Sequence, residues 1–152
     1  MKRQVLFTVG GIAIVFFVIS LVSLVYLLHR ASVAKSIRDV LNTDRAMYHE
    51  VFAEAHDATP SAETVLAYTQ GLREIDMSDC PTDFQLAYLD HIHAWESLAR
   101  ARSSVIKNVI FSLLTGTIPN ISDEQPIREE IAKTWNEVER IALSYGVEVQ
   151  KL

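Results

Sequence analysis

The sequence predicts an all-α protein with one N-terminal transmembrane helix followed by a small bundle of about four helices. An uncharged apolar run covers residues 5–28. After it, apolar residues recur at helical spacing, and prolines and glycines fall mainly between the periodic segments. At 152 residues the chain has room for one folded domain beside the membrane segment.

The apolar run predicts a transmembrane signal-anchor helix that contacts membrane lipid. Its 24 residues carry no charge, and at 1.5 Å per residue they span roughly 36 Å, more than the roughly 30 Å of the hydrocarbon core. A cleaved signal peptide is the main alternative, because Ser32, Val33 and Ala34 include the small residues of a cleavage site. The apolar region is too long for that alternative, and His29 and Arg30 separate it from the site.

The orientation of the anchor is predicted from domain length. Basic residues are balanced across the span, and long domains are translocated largely regardless of charge. We therefore expect residues 1–4 to form a short cytoplasmic tail and residues 29–152 to form an extracytoplasmic domain. In a bacterium this places the protein in the inner membrane with a periplasmic domain.

Charge and cysteine content exclude several classes of protein. Residues 31–152 hold 11 Lys or Arg against 19 Asp or Glu, a formal charge of −8, so nucleic acid and anionic headgroups would be repelled. The single Cys80 cannot form an internal disulfide, so the fold depends on packing. Zinc and haem-attachment motifs are absent from the sequence, and we predict no cofactor.

The first two helices of the bundle follow the anchor. The first, residues 31–57, can continue the transmembrane helix, and the second begins at Thr59-Pro60, with a cap and a first-turn proline, and ends near Arg73. The expected core face of the first is Val33, Ile37, Val40, Leu41, Met47, Tyr48, Val51 and Ala55, and that of the second is Ala62, Val65, Thr69 and Leu72.

The other two helices also have recognisable starts and ends. Cys80-Pro81 with Asp83 begins a long third helix that ends near Gly116. Ser122 and Gln125 have capping-box spacing for a fourth helix, which Gly146 ends. Their expected core faces are Phe84, Tyr88, Trp95, Leu98, Ile106, Val109 and Leu113, and Ile127, Ile131, Val138, Ile141 and Tyr145.

Two charged residues fall within these apolar faces, Asp44 on the first helix and Arg102 on the third. An unpaired charge is costly to bury. Either the helices are frayed there, so that both side chains reach water, or the residues form a buried pair that fixes the register of the helices.

The histidines do not predict a metal site. His91 and His93 lie about 160° apart on a helix, so they cannot share an ion. His49 and His56 are seven residues apart, about 10.5 Å along the axis. The Asp90 and His93 pair lies opposite the apolar face, whereas metal-binding bundles use inward-facing ligands.

His91 is the residue of greatest interest, because it lies in the core face between Tyr88 and Trp95. A buried imidazole needs a hydrogen-bond partner. The favoured interpretation is a core histidine bonded to a carbonyl or carboxylate, and the alternative is a ligand-binding or pH-sensing site formed by Tyr88, His91 and Trp95. Cys80 is interpreted as a passive thiol, although a helix N-terminus close by can make a thiol reactive.

The same segment carries a motif, Cys-Pro-x-x-Phe-x-x-Ala-Tyr-x-x-His-x-x-Ala-Trp, at Cys80, Pro81, Phe84, Ala87, Tyr88, His91, Ala94 and Trp95. In this it resembles small, uncharacterised bacterial proteins that are often secreted or membrane-anchored. The resemblance implies a bacterial source and no particular activity.

The sequence therefore predicts a non-enzymatic, membrane-tethered helical bundle. It contains no Gly-rich phosphate loop, and no convergent catalytic set can be recognised. The first hypothesis is an interaction or accessory protein of the bacterial cell envelope that binds a partner protein. The second is a small-ligand or stress-sensing bundle with a cavity between its helices.

Overall fold

The computed structural model describes residues 2–52, 60–115 and 124–149, with side chains except at residues 2–16, 106–113 and 115. These ranges contain four α-helices and no β-strand. The predicted all-α class is confirmed. The helices are α1 (Lys2–Phe52), α2 (Ala62–Glu74), α3 (Thr82–Thr115) and α4 (Gln125–Ser144).

The apolar segment and the first bundle helix are one continuous helix. α1 has 51 residues, so it extends about 76 Å at 1.5 Å per residue. Its N-terminal part is long and apolar enough to cross a membrane. The side chains from Phe17 to Leu28 stand clear of the bundle, and burial begins near Val33. The predicted end at Asp57 lies outside the described residues.

α2 begins later than the sequence predicted. Ser61 is its N-cap, and the Ser61 hydroxyl accepts a hydrogen bond from the backbone N–H of Thr64 at 3.0 Å. The prediction of a Thr59 cap with Pro60 in the first turn is therefore wrong, because Ser61 supplies the capping oxygen and Pro60 precedes it. Thr59 itself lies outside the described residues.

α3 begins at Thr82, close to the predicted start at Cys80-Pro81, but Pro81 precedes the helix rather than lying in its first turn. The turn before it is closed by Gln85, whose side-chain amide donates to the carbonyls of Met77 and Cys80 at 2.9 and 2.7 Å. The helix runs to Thr115, and Gly116, its predicted end, lies outside the described residues.

The start of α4 corrects a second capping prediction. The helix begins at Gln125, after Glu124, which makes no side-chain capping bond. Gln125 is therefore not the third residue of the helix, and its amide donates to Glu129 at 3.0 Å. Ser122 lies outside the described residues. The carboxylate of Glu124 is bonded to arginine side chains instead.

The end of α4 is the predicted one. Gly146 has φ +79°, a left-handed conformation that glycine adopts without strain. The N–H of Gly146 bonds to the carbonyl of Leu143 at 2.9 Å, and that of Val147 to the carbonyl of Ala142 at 3.0 Å. These are the two bonds of a Schellman motif, and the buried Val147 supplies its apolar contact.

Each helix packs mainly on its neighbour in sequence, and α3 and α4 are antiparallel, because the end of α4 lies beside the start of α3. Arg73 on α2 donates to Glu96 on α3 at 2.6 Å, and the Tyr145 hydroxyl after α4 donates to Asp83 on α3 at 3.2 Å. The predicted core residues that are fully buried are Ile37, Val40, Leu41, Ala62, Val65, Thr69, Leu72, Phe84, Tyr88, Leu98, Val138 and Ile141.

The core also contains residues that the helical faces did not include. Tyr68 on α2 and Ile92 on α3 are buried between helices, and so is Ala142 on α4. Ala55 and the side chains of Ile106, Val109 and Leu113 lie outside what the structure describes.

Candidate functional site

His91 lies inside the bundle, 3% exposed. Its Nε2 is 3.1 Å from the indole Nε1 of Trp95, and its Nδ1 is 3.0 Å from the hydroxyl oxygen of Thr134 on α4. An indole N–H can only donate, so Nε2 is the acceptor and the proton of the neutral ring is assigned to Nδ1. The expected core histidine is present, and its side-chain partners are an indole and a hydroxyl.

This proton assignment excludes one enzymatic role. The Thr134 hydroxyl lies 2.9 Å from the carbonyl of Glu130 and 3.0 Å from that of Ile131, and it donates to this helical backbone. It therefore receives the His91 Nδ1–H. A histidine that donates to a hydroxyl cannot act as the base that activates it. His91 and Thr134 are not a nucleophile–base pair in this arrangement.

Burial keeps His91 neutral. Loss of hydration lowers its pKa to about 4, and the backbone carbonyl of Ile131 opposes this only in part. Protonation at Nε2 would also remove the acceptor for Trp95. His91 therefore holds the Trp95 ring in place at neutral pH.

Asp44 forms the second buried polar group. It is 3% exposed, and its Oδ1 accepts a short hydrogen bond from the Tyr68 hydroxyl. Its Oδ2 and the Tyr88 hydroxyl are buried and have no hydrogen-bond partner among the described residues. Burial raises the pKa of Asp44, whereas Tyr68, Tyr88 and Arg45 each lower it in part.

Four aromatic rings pack beside Asp44 where α1, α2 and α3 meet. Tyr48 and Phe52 come from α1, Tyr68 from α2 and Trp95 from α3, with ring centroids 4.6 to 6.4 Å apart. All six pairs meet edge to face or tilted, which suits the aromatic quadrupoles. Trp135 on α4 approaches from the other side, with its centroid 5.1 Å from that of His91.

Except for Phe52, these rings line a pocket between α1 and α4 together with Asp44 and His91, and we call it the α1/α4 pocket. Its volume is about 230 Å³. The helices on either side are the first and last of the bundle, which pack on α2 and α3 respectively and leave a gap between themselves. The lining residues are Leu41, Asp44, Arg45, Tyr48, Tyr68, His91, Trp95, Arg128, Ile131, Ala132, Trp135 and Val149.

The structure brings two of the three predicted site residues to one pocket. His91 and Trp95 line the α1/α4 pocket, but Tyr88 does not. Tyr88 is fully buried and stacks on Phe84 with ring centroids 5.9 Å apart. The predicted trio therefore divides into two pocket residues and one core residue beside Asp44. This corrects the grouping, because residues that share a helical face need not reach the same cavity.

Most of the pocket lining comes from residues that the sequence did not point to. Arg45 and Arg128 belong to the polar faces of their helices, and Trp135 lies beside the predicted face of α4. A helical pattern shows which side of one helix is apolar, but it does not show which residues of two helices face each other. No signal in the sequence singled out the two arginines, because an arginine beside an apolar face looks like any other solvated charge.

Arg102 lies in a separate buried cluster. The loop before α3 is at one end of the bundle, and this cluster is at the opposite end. The guanidinium is 7% exposed and binds both carboxylate oxygens of Glu124, at 3.0 and 2.9 Å. It also donates to the carbonyl of Pro60. Both Asp44 and Arg102 are buried, so the interpretation of frayed helices is wrong, and they do not pair with each other.

Cys80 is buried just before α3. Burial raises the pKa of its thiol, and the nearby charges of Asp79, Asp76 and Asp39 raise it further. Burial and the acidic neighbours thus leave the pKa of the thiol raised, although a helix N-terminus follows. A thiol in this environment carries little thiolate at neutral pH.

His93 points to solvent on the opposite side of α3 from His91. Among the residues that the structure describes, no three His, Cys, Asp or Glu side chains lie close enough together to hold a metal ion.

Comparison with known proteins adds no family to this description. No family model matches the chain, and neither the curated proteins nor the solved structures include a match. The motif resemblance of residues 80–95 therefore remains a resemblance.

Proposed function

We propose that this protein is a membrane-anchored helical bundle that binds a small molecule in the α1/α4 pocket. The observation that carries the proposal is the pocket itself, a cavity of about 230 Å³ walled by aromatic rings and edged by charged side chains. Protein interiors are normally close-packed, with few voids larger than a water molecule. A pocket with apolar walls and a few polar groups is the usual form of a ligand site.

The dimensions of the pocket suit a small organic ligand. An apolar cavity of about 150 Å³ is enough to bind benzene, so about 230 Å³ accepts one or two fused rings or a short branched chain. Trp95 is held by His91, and Trp135 donates to Glu139 at 2.9 Å. The two indoles are thus fixed before a ligand arrives, which lowers the entropic cost of binding.

The position of the pocket along α1 indicates where its ligand comes from. Leu41 and Tyr48 line it, and they follow the apolar run by about 20 and 30 Å of helix at 1.5 Å per residue. We place the apolar run in a bacterial inner membrane and the bundle on its outer side. The ligand then reaches the pocket from the aqueous compartment rather than from the bilayer.

Native mass spectrometry of the full chain, released gently from its membrane, tests the ligand proposal. We expect a non-lipid small molecule to be retained. Ala132→Trp fills the pocket and should release it, whereas Leu143→Trp, at an exposed site on the same helix outside the pocket, should retain it. A wild-type chain that carries nothing, or equal retention by both variants, contradicts the proposal.

Fusions at the C-terminus test the orientation. Alkaline phosphatase is active only outside the cytoplasm, so we expect a fusion after Leu152 to be active and a cytoplasm-dependent fluorescent protein there to be dark. The reverse pattern would place the bundle in the cytoplasm.

A partner-protein function is the second candidate, and one feature of α3 favours it. The helix passes Arg102 and continues to Thr115, about 20 Å further at 1.5 Å per residue. The sequence at the C-terminal end of α3 is rich in apolar residues, and Leu114 there is 81% exposed. A partner that uses this end should co-purify from gently solubilised membranes with the wild-type chain and be lost with Leu114→Glu.

A further inference from the structure

The charges around the α1/α4 pocket indicate which class of molecule it takes. Its charged lining residues are Arg45 on α1, Arg128 on α4 and Asp44 on α1. Even with Asp44 ionised, the two guanidinium groups leave the lining with a formal charge of +1. This is opposite in sign to the rest of the bundle, where acidic residues predominate.

The arginines lie on the two helices that flank the pocket. Arg128 has a half-exposed side chain that lines the pocket and bonds to Glu124 at 3.1 Å. Glu124 is shared with Arg102, so this one carboxylate is matched by two guanidinium groups. Arg45 is partly buried and lies near enough to Asp44 to lower the pKa of that carboxyl. An anionic group that enters between α1 and α4 would be attracted by a guanidinium from each side.

The walls away from the arginines suit an apolar body. Tyr48, Trp95 and Trp135 present ring surfaces, and Ile131 and Leu41 add aliphatic contact. A cationic ligand would also find these rings attractive, but it would meet two guanidinium groups. An anion gains charge-assisted hydrogen bonds from the same groups.

We propose that the α1/α4 pocket binds a small organic anion, with its carboxylate between Arg45 and Arg128 and its apolar or aromatic body against Trp95 and Trp135. This inference rests on the proposed ligand-binding function and specifies its ligand class. The test below separates failure of the inference from failure of that function.

Three probes with one body and different charges test the proposal: 1-naphthoate, 1-naphthamide and 1-naphthylmethylammonium. The full chain is placed in nanodiscs of zwitterionic phosphatidylcholine, and binding is measured by calorimetry against empty nanodiscs. We expect 1-naphthoate to bind at least about tenfold more tightly than either of the others. Each head group is compared on the same bicyclic body, so apolar burial cancels.

Variants locate the anion. Arg45→Gln and Arg128→Gln should each weaken 1-naphthoate binding about fivefold or more and leave 1-naphthamide binding unchanged. Arg140→Gln is the matched control, because Arg140 is also an exposed α4 arginine paired with a glutamate, and it lies outside the pocket. It should leave binding of both probes unchanged.

Each of the other possible results contradicts one part of the proposal. If 1-naphthamide or the ammonium binds as tightly as 1-naphthoate, the anion class is wrong and the ligand-binding function stands. If Arg140→Gln weakens 1-naphthoate as much as the other two variants, the anion does not lie between Arg45 and Arg128. If none of the probes binds to a chain that unfolds cooperatively, the inference fails and native mass spectrometry decides the proposed function separately.

Discussion

Asp44 and Arg102 are both buried charged residues, but their surroundings differ. The Arg102 guanidinium donates two hydrogen bonds to the Glu124 carboxylate and a third to the Pro60 carbonyl. Asp44 has one tyrosine hydroxyl on Oδ1, and the Tyr88 hydroxyl is close enough to lower the pKa of the carboxyl, but Oδ2 makes no well-formed hydrogen bond among the described residues. Asp44 also lines a cavity. Breaking a buried ion pair by removing one partner is strongly destabilising, because the other charge stays buried. A buried charge with unused hydrogen-bonding capacity beside a cavity has the features of a binding site.

The Arg102 cluster should show the largest effect on stability. Arg102→Ala leaves the Pro60 carbonyl without its partner and removes one of the two arginines that bind Glu124. Because Glu124 keeps Arg128 and some contact with water, we expect a loss of about 3 kcal/mol, at the low end for a broken buried pair. Urea unfolding of the full chain in detergent micelles, followed by tryptophan fluorescence, measures this. The control Arg140→Ala removes an exposed ion pair, which solvent screens, and should cost far less. Equal losses would show that the Arg102 cluster is no more than a surface pair.

His91 should make stability depend on pH on the acid side of neutrality. Its pKa is about 4 in the fold against about 6.5 unfolded, so between these values the unfolded chain binds the extra proton and stability falls as the pH falls. The slope from this group reaches about 1.4 kcal/mol per pH unit. The unfolding free energies of wild type and His91→Gln are measured from pH 7 to pH 4, and their difference isolates the contribution of His91. Parallel curves would mean that His91 is hydrated in the folded protein.

Asp44 should act in the opposite direction. Its pKa is raised in the fold, so the folded state holds the proton more tightly, and stability falls as the pH rises above the unfolded value. Asp44→Asn keeps an acceptor for Tyr68 and has no charge to bury, so we expect a gain of about 1 kcal/mol at pH 7. Asp39→Asn, at an exposed site paired with Lys35, is the control and should change little. A clear loss in Asp44→Asn would show that Arg45 fully compensates the buried charge.

The smallest effect is expected at His93. It is exposed on α3, two residues from His91, and His93→Ala should change the unfolding free energy by less than about 0.5 kcal/mol. The same urea titration checks it. A larger loss would mean that α3 is rotated from the orientation described.

Much of the fold could be predicted from the sequence, because it depends on local patterns. The apolar period placed Ile37, Val65 and Val138 in the core, and Gly146 ended α4 as expected. The helix starts were less predictable. Ser61, rather than Thr59, caps α2. Glu124, at the start of α4, bonds to arginine side chains and does not cap that helix. Several polar residues compete for such positions, and the competition is decided by neighbours distant in sequence.

The pocket was harder to predict than the helices. His91 and Trp95 could be identified as candidate site residues, because His91 is a polar residue within an apolar face and Trp95 is a large aromatic residue on the same face. Arg45 and Arg128 could not, because on a single helix they look like any solvated charge. Their importance arises only from the way α1 and α4 face each other, and that depends on the packing of all four helices.

The two tryptophans of the chain, Trp95 and Trp135, both line the α1/α4 pocket, which permits one direct measurement of the central claim. The full chain labelled with 5-fluorotryptophan should give two ¹⁹F resonances, both reporting on the pocket. We predict that titration with 1-naphthoate shifts both resonances and that Ala132→Trp, which adds a third signal, abolishes the shifts of the original two. If both original resonances stay unchanged as 1-naphthoate is added, the account of this pocket as the ligand site is contradicted.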